Sequence, residues 1–179
     1  MRVIAGTLGG RRLQSPPGSV TRPTSDRVRE ALFATLGPID GLSVLDLFAG
    51  SGALAIEALS RGASHAVFVE RNRTAAKVIA ENLEALGLAE PRAQLIRGSA
   101  QRALAQAARA AERYDLLFLD PPYRQTAALG GDILKLIVPI LTPSARVVTE
   151  SDRRQPFELE LEMIDERRYG DTLIRIHQR

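Results

Sequence analysis

The chain contains no cysteine. Disulfides, thiolate metal sites and cysteine nucleophiles are therefore excluded. Histidine is almost missing too: only His65 and His177 occur, so a histidine-based metal cluster is not expected. His65 in the loop "GASHAV" and His177 near the chain end both read as solvated surface residues. Lysine is scarce, since of 24 basic residues only Lys77 and Lys135 are lysine. No apolar run reaches the length of a membrane span. The opening "MRVIAGTLGGRRLQ" is basic but lacks the apolar core of a signal peptide. A cytoplasmic protein working as a single copy, without membrane or metal, is the expectation.

What is present is a globular composition: 179 residues, 45% hydrophobic and 25% charged, enough for one domain with a full core. The charge is unevenly placed. Residues 1–30 hold Arg2, Arg11, Arg12, Arg22, Arg27 and Arg29 against Asp26 and Glu30, while the whole chain carries +3. The basic excess therefore lies entirely in this first segment. Arginine favours bidentate contact with phosphate or a guanine edge. Residues 2–7 and 11–14 flank Leu8-Gly9-Gly10 and predict a short β-hairpin. A proline-rich connection follows. "TSDRVREALFATLG" then predicts a helix capped by Thr24 or Ser25, with Val28, Ala31, Leu32 and Leu36 on its apolar face and Gly37-Pro38 as its stop. From residue 43 strands alternate with helices. "SVLDLF", "HAVFVE", "AQLIRG", "DLLFLD" and "ARVVTE" are near-continuous apolar strands, as a parallel sheet covered on both faces requires. "ELEMIDERRYGDTLIRIHQ" predicts an antiparallel hairpin around Tyr169-Gly170-Asp171. The fold class is α/β: residues 1–42 form a basic extension packed on a Rossmann-like core of residues 43–179.

The turn after the first core strand reads Asp46-Leu47-Phe48-Ala49-Gly50-Ser51-Gly52. In doubly wound folds ligands sit outside the carboxyl ends of the strands, beside such a turn. Glycine lets backbone approach the ligand, and the helix start supplies free N–H groups. Glu70 ends the next strand, where a carboxylate can hold ribose hydroxyls. A dinucleotide loop would carry a third glycine, but Ala55 stands there. Asp46 would repel a pyrophosphate, yet it suits the cationic amino-acid end of S-adenosylmethionine.

"LFLDPPYRQT" places Asp120 at the end of the fourth core strand, on the same rim. Pro121 and Pro122 fix the backbone and remove two donors, leaving a site rich in acceptors. Tyr123 offers a flat face for stacking. Together these suit an exocyclic amine on a planar base. If its N–H groups bond to Asp120 and the Pro121 carbonyl, the nitrogen lone pair turns toward an incoming methyl group. The same acceptors stabilise the charge that develops. The base must leave its stack to reach such a pocket.

"VLDLFAGSGALAIEALSRGA", "FVERN" and "LFLDPPY" resemble the motifs of S-adenosylmethionine-dependent amino-methyltransferases. "TRPTSDRVREALF", "IAGTLGGRRLQSPPG" and "RRYGDT" narrow this: nearly the whole chain resembles the bacterial 16S rRNA guanine-N2 methyltransferase family. The resemblance implies a seven-stranded methyltransferase sheet and the methylation of one guanine of small-subunit rRNA, free or within a subunit or assembly intermediate. It also implies roles. Asp46, Phe48, Ala49, Gly50, Ser51 and Gly52 line the methionine side of the cofactor. Glu70 holds the ribose, with Arg71 and Asn72 near the adenine. Asp120, Pro121, Pro122 and Tyr123 receive the target base. Arg22, Thr24, Arg27 and Arg29, with Arg11 and Arg12, meet the RNA. Many relatives carry an acid after the third strand to bind the adenine amine. Here "RGSA" leaves that task to Ser99, Ala100 or backbone groups.

Two other readings compete. A DNA adenine-N6 methyltransferase uses the same acidic Pro-Pro-aromatic logic, but this chain has no room for a separate recognition domain. A non-catalytic RNA-binding assembly factor would need only the basic N-terminus. It would not need a donor loop and "DPPY" together.

Overall fold

The computed structural model describes residues 1–17, 25–121 and 133–179. In chain order the elements are α1 (Asp26–Leu36), β1 (Ser43–Asp46), α2 (Ala53–Ser60), β2 (His65–Glu70), α3 (Arg73–Leu86), β3 (Ala93–Arg97), α4 (Ala100–Arg109) and β4 (Tyr114–Leu119). A helical stretch at 133–137 runs into a 3-10 turn, Val138–Ile140. β5 (Leu141–Asp152), β6 (Glu162–Tyr169) and β7 (Thr172–Gln178) complete the chain.

One seven-stranded sheet has the order β3-β2-β1-β4-β5-β7-β6. β3 through β5 are parallel, while β7 runs antiparallel to β5 and β6 antiparallel to β7. From β1 the chain winds outward to β2 and β3, then returns to the other side of β1 to lay down β4 and β5. The connections therefore part above the carboxyl ends of β1 and β4, and ligands of open α/β sheets lodge at such a parting.

The apolar runs bury both faces, because side chains alternate along each strand. Val44, Phe68, Phe118, Val148 and Ile174 join α1, α2 and α3 in one core layer. Leu45, Val67, Leu117, Leu119 and Val147 join α4 and the 133–140 stretch in the other. Helix ends follow local chemistry. Ser25 Oγ accepts from the Val28 N–H at 3.3 Å, and Asn72 Oδ1 accepts from the N–H groups of Thr74 and Ala75 at 2.9 and 3.1 Å. α1 presents Phe33 as well as Leu32 and Leu36 to the core, with the Phe33 ring 6.0 Å from that of Phe118.

The N-terminal hairpin is reduced to one antiparallel bridge, Arg2 with Arg12. The N–H groups of Val3, Gly10 and Leu13 pair across it, donating to Arg11 O, Val3 O and Met1 O at 2.9, 2.9 and 3.1 Å, while other donors go to α2. The N–H groups of Ile4 and Ala5 donate to the buried Glu57 carboxylate at 2.7 and 3.0 Å, and those of Thr7 and Leu8 to Ser60 O and Oγ at 2.8 and 2.9 Å. Residues 1–14 thus form a strap laid over α2. Gly6 lies so close to it that a Cβ would stand 1.9 Å from Ser60 O.

Both histidine expectations change. His65 opens β2 half-buried, with Nε2 3.3 Å from Ser43 Oγ. His177 is only 2% exposed, because β7 lies inside the sheet between β5 and β6.

Candidate active site

The turn between β1 and α2 is locked from three sides. The Leu47 N–H donates to Phe118 O at 3.2 Å and the Ala49 N–H to Val69 O at 3.1 Å. The Gly50 N–H donates to Glu70 Oε2 at 2.9 Å. Asn82 on α3 donates through Nδ2 to Ser51 O at 3.0 Å and to Gln14 O at 3.1 Å, joining the loop to the end of the strap. Gly50 and Gly52 have φ of +56° and +80°, where a side chain is strained. A Cβ on Gly52 would also stand 3.3 Å from the Phe68 ring, so the core demands this glycine as much as any ligand does. At Gly50 a Cβ would meet only Phe48 O, at 3.9 Å, which keeps the backbone there open to approach.

Asp46 ends β1 at 1% exposure, and its Oδ1 has no hydrogen-bond partner among the described residues. Burial pushes its carboxyl up to about 7, against the N–H groups of Phe48 and Ala55, with Glu70 adding repulsion. A buried carboxylate with a free oxygen fits the cationic amino group of an amino-acid ligand. Glu70 accepts from Gly50 and also from the Asn72 N–H at 2.7 Å. Each of its oxygens keeps a lone pair, so ribose hydroxyls can still donate to it.

The residues expected near the adenine are more constrained than the sequence suggests. The Asn72 side chain is spent capping α3, and Ser99 Oγ caps α4 by accepting from the Arg102 N–H at 3.3 Å. Ser99 retains its hydroxyl hydrogen, and Ala100 opens α4 with its N–H. Arg71, next to Asn72, is exposed.

Asp120 follows β4 directly. It is half-buried, and Pro121 is buried. Its carboxyl is held well above the ordinary range by burial first, then by the charges of Glu150 and Asp46. Pro122, Tyr123, Arg22 and Thr24 lie outside the described residues. Glu150 is the acid that sequence reasoning missed. The signal was there: "VLD", "FVE", "FLD" and "VTE" are all apolar runs that end in an acid.

The family model described as Conserved hypothetical protein 95 matches residues 1–178. YlbH of Bacillus subtilis (strain 168), named as a candidate rRNA methyltransferase, is 40% identical over 185 aligned positions, covering 100% of this chain and 99% of that protein. Ribosomal RNA small subunit methyltransferase D of Haemophilus influenzae is 37% identical over 157 positions, covering 87% of this chain and 81% of that one. Among solved structures, yhhF of Escherichia coli, titled as a candidate methyltransferase, has a TM-score of 0.84 at 34% identity, covering 100% of this chain and 97% of that chain. The chain belongs to this rRNA methyltransferase family.

Within this methyltransferase the basic residues divide. Arg29 is a correction: expected to meet RNA, it is 1% exposed, donating to the carbonyl of Arg2 and, at 3.0 Å, to Asp26 Oδ1. It ties α1 to the strap. Arg11 is exposed, but one Nη donates to Ala85 O at 2.7 Å in the last turn of α3. Arg12 and Arg27 are exposed. Among the described residues no helix is long and apolar enough to cross a membrane.

Proposed function

We propose that the protein transfers a methyl group from S-adenosylmethionine to the exocyclic N2 amine of a guanine in small-subunit (16S) rRNA, presented in a subunit or assembly intermediate. The observation that carries this reading is the placement of Asp46 and Asp120 at the carboxyl ends of β1 and β4, the two strands that flank the parting of the connections. One carboxylate takes the cation of the methyl donor, and the other takes the amine to be methylated. Asp46 and Glu70 hold the amino-acid and ribose ends, while the loop from Phe48 to Gly52 lies between them. The sulfonium supplies an electrophilic methyl group, so the protein need not create one.

The remaining task belongs to Asp120. An aniline-like nitrogen is a poor nucleophile while its lone pair is spread over the ring. Accepting one amine N–H at Asp120, and another at the Pro121 carbonyl, turns that lone pair out of the ring plane. As the nitrogen–carbon bond forms and the carbon–sulfur bond breaks, positive charge grows on nitrogen. Asp120 stabilises that charge and accepts or passes on the proton that nitrogen then loses. Alignment of the reactants supplies much of the rest.

The test is radiolabelled methyl transfer to small subunits lacking the modification and, in parallel, to unmethylated DNA. The RNA is then digested to nucleosides and the labelled position mapped. Label in N2-methylguanosine, absent with Asp120→Ala, supports the reading. Label only in N6-methyladenine of DNA overturns it in favour of the DNA enzyme. No detectable binding of S-adenosylmethionine would leave a non-catalytic RNA-binding factor as the better description.

A further inference from the structure

Gly170 and Asp171 turn the chain from β6 into β7 at the same rim as Asp46 and Asp120. The register shows this. β4 and β5 pair last at Leu119 and Thr149. One step further out, Glu150 pairs with Ile174 on β7, and Ile174 with Arg167 on β6. Arg167 is therefore level with Asp120 and three strand spacings away, or about 14 Å. Tyr169 stands two residues further out, opposite Thr172. Alternation puts Arg167 and Tyr169 on the face of Val44, Phe118 and Asp120, and Tyr169 packs against that core layer.

The turn is held in place. The Arg153 N–H donates to Asp171 O at 2.8 Å, and Arg153 and Arg154 share the Asp171 carboxylate at 3.3 and 3.8 Å. On β6, Arg167 pairs with Asp165 at 2.9 Å and Arg168 with Glu166 at 2.8 Å. These two acids lie low, their side chains 22% and 24% exposed, while the arginines project at 57% and 72%. The outermost charges are thus positive. Exposed pairs of this kind add little to stability, and each guanidinium keeps donors that its carboxylate does not use. Of the phenylalanines and tyrosines among the described residues, only Phe48, in the cofactor turn, and Tyr169 are not buried. A partly held ring beside projecting guanidiniums is the equipment that grips single-stranded RNA: arginine meets phosphate and the ring stacks on a base.

We propose that the β6–β7 turn is a second RNA contact, in which Tyr169 stacks on an unpaired nucleotide flanking the target and Arg167 and Arg168 engage its phosphates. This deepens the rRNA reading and rests on it. The strap lies over α2, and its Arg11 reaches α3, on the β1–β3 side of the sheet. The β6–β7 turn lies on the other side of β4. The two basic surfaces therefore flank Asp120. An enzyme that draws a base out of its stack gains from holding the strand on both sides of that base.

The experiment measures kcat and KM on small subunits lacking the modification, with melting temperature and cofactor affinity for each variant. Tyr169→Leu keeps apolar cover over the core but no ring. It should raise KM by roughly 5- to 100-fold, the range of one lost stack, with kcat and cofactor affinity within about two-fold of the parent. Tyr169→Phe should restore the parent's KM. Replacing Arg167 and Arg168 together by alanine should raise KM and lower the slope of log affinity against log salt by about 1–2. The chain has no cysteine, so a photoactivatable cross-linker on Arg168→Cys reports on that position alone. Cross-links to 16S rRNA near the methylated nucleotide are the expected result. Cross-links only to a ribosomal protein overturn the proposal. So does a parent-like KM in a Tyr169→Leu variant that melts like the parent, or an equal loss in Tyr169→Leu and Tyr169→Phe. Should Tyr169→Leu fail to fold, the paired arginine variant and the cross-link decide. A parent that methylates no small-subunit RNA overturns the rRNA reading instead, before any variant is compared.

Discussion

Asp120 carries the most demanding expectation at the scale of single residues. Asp120→Ala should lower turnover by about 10²–10³-fold or more, as loss of a transition-state contact does, while cofactor affinity stays within a few-fold. Single-turnover rates and equilibrium binding separate the two, and parent-like rates would remove Asp120 from the mechanism. In the proposed mechanism Asp120 acts as a carboxylate, and burial with Glu150 and Asp46 beside it raises its proton affinity. Activity should therefore fall on the acid side at a pH above the ordinary carboxylate range.

Asp46 makes a different prediction. Its folded value of about 7 lies above the ordinary 3.8, so its contribution to stability is present below 3.8 and lost as pH rises through about 7. The cationic amino group of the cofactor requires the charged form. Binding near pH 6 should release a proton, and affinity should climb toward pH 8. Calorimetry in buffers of different ionisation enthalpy reads this directly, and Asp46→Asn should abolish the release. His177 behaves oppositely in acid. Burial lowers its value below 6.5, so its contribution to stability is intact above that pH and lost as pH falls below it. The midpoint of thermal unfolding should drop between pH 6.5 and 5, and less so in His177→Gln.

At the scale of elements, the strap over α2 decides how firmly the cofactor turn is held. Gly6→Ala combines a φ of +83° with a Cβ 1.9 Å from a backbone carbonyl, so the strap must lift. We expect a loss of about 2–4 kcal/mol in denaturant unfolding. Cofactor affinity should also weaken, because Asn82 then loses Gln14 and holds Ser51 less well. Unchanged affinity in a destabilised variant would show that the strap and the turn are independent.

This element also marks the limit of reading the sequence. Strand–helix alternation from residue 43 was legible because parallel strands write themselves as apolar runs, and helices as capped, periodic segments. The seven-stranded sheet and its C-terminal hairpin follow that expectation. The first fourteen residues read only in part: the antiparallel pairing of Arg2 with Arg12 is present, but the docking of this segment on α2 was not legible. The N–H groups of Ile4, Ala5, Thr7 and Leu8 go to Glu57 and Ser60, some fifty positions away, and no local pattern announces such partners. Arg29 was misread for a related reason. A charged residue is expected outside, but a carbonyl and an aspartate pay for its place inside. Of the candidate site, the acids at strand ends were legible singly. What was hidden was register, which alone places Glu150 beside Asp120.

Over the whole molecule, charge is the relevant quantity. The first 30 residues carry six arginines against two acids, and of the described ones Arg12 and Arg27 are exposed. Replacing both by alanine should weaken RNA binding and lower the slope of log affinity against log salt by about 1–2. An unchanged slope would return them to ordinary surface. Arg11→Ala is expected to cost less in the slope and more in stability, since its guanidinium also closes the carbonyl end of α3.

The position of β7 inside the sheet has a consequence for synthesis. β6 is made before β7 but touches the sheet only through it. Until residues 172–178 join the sheet, β5 presents an open edge along Arg146–Asp152 and β6 has nothing to pair with. A chain released short of residue 172 keeps that bare strand, a natural client for holding factors and a seed for aggregation. The β6–β7 hairpin completes the sheet by docking through β7 onto that edge.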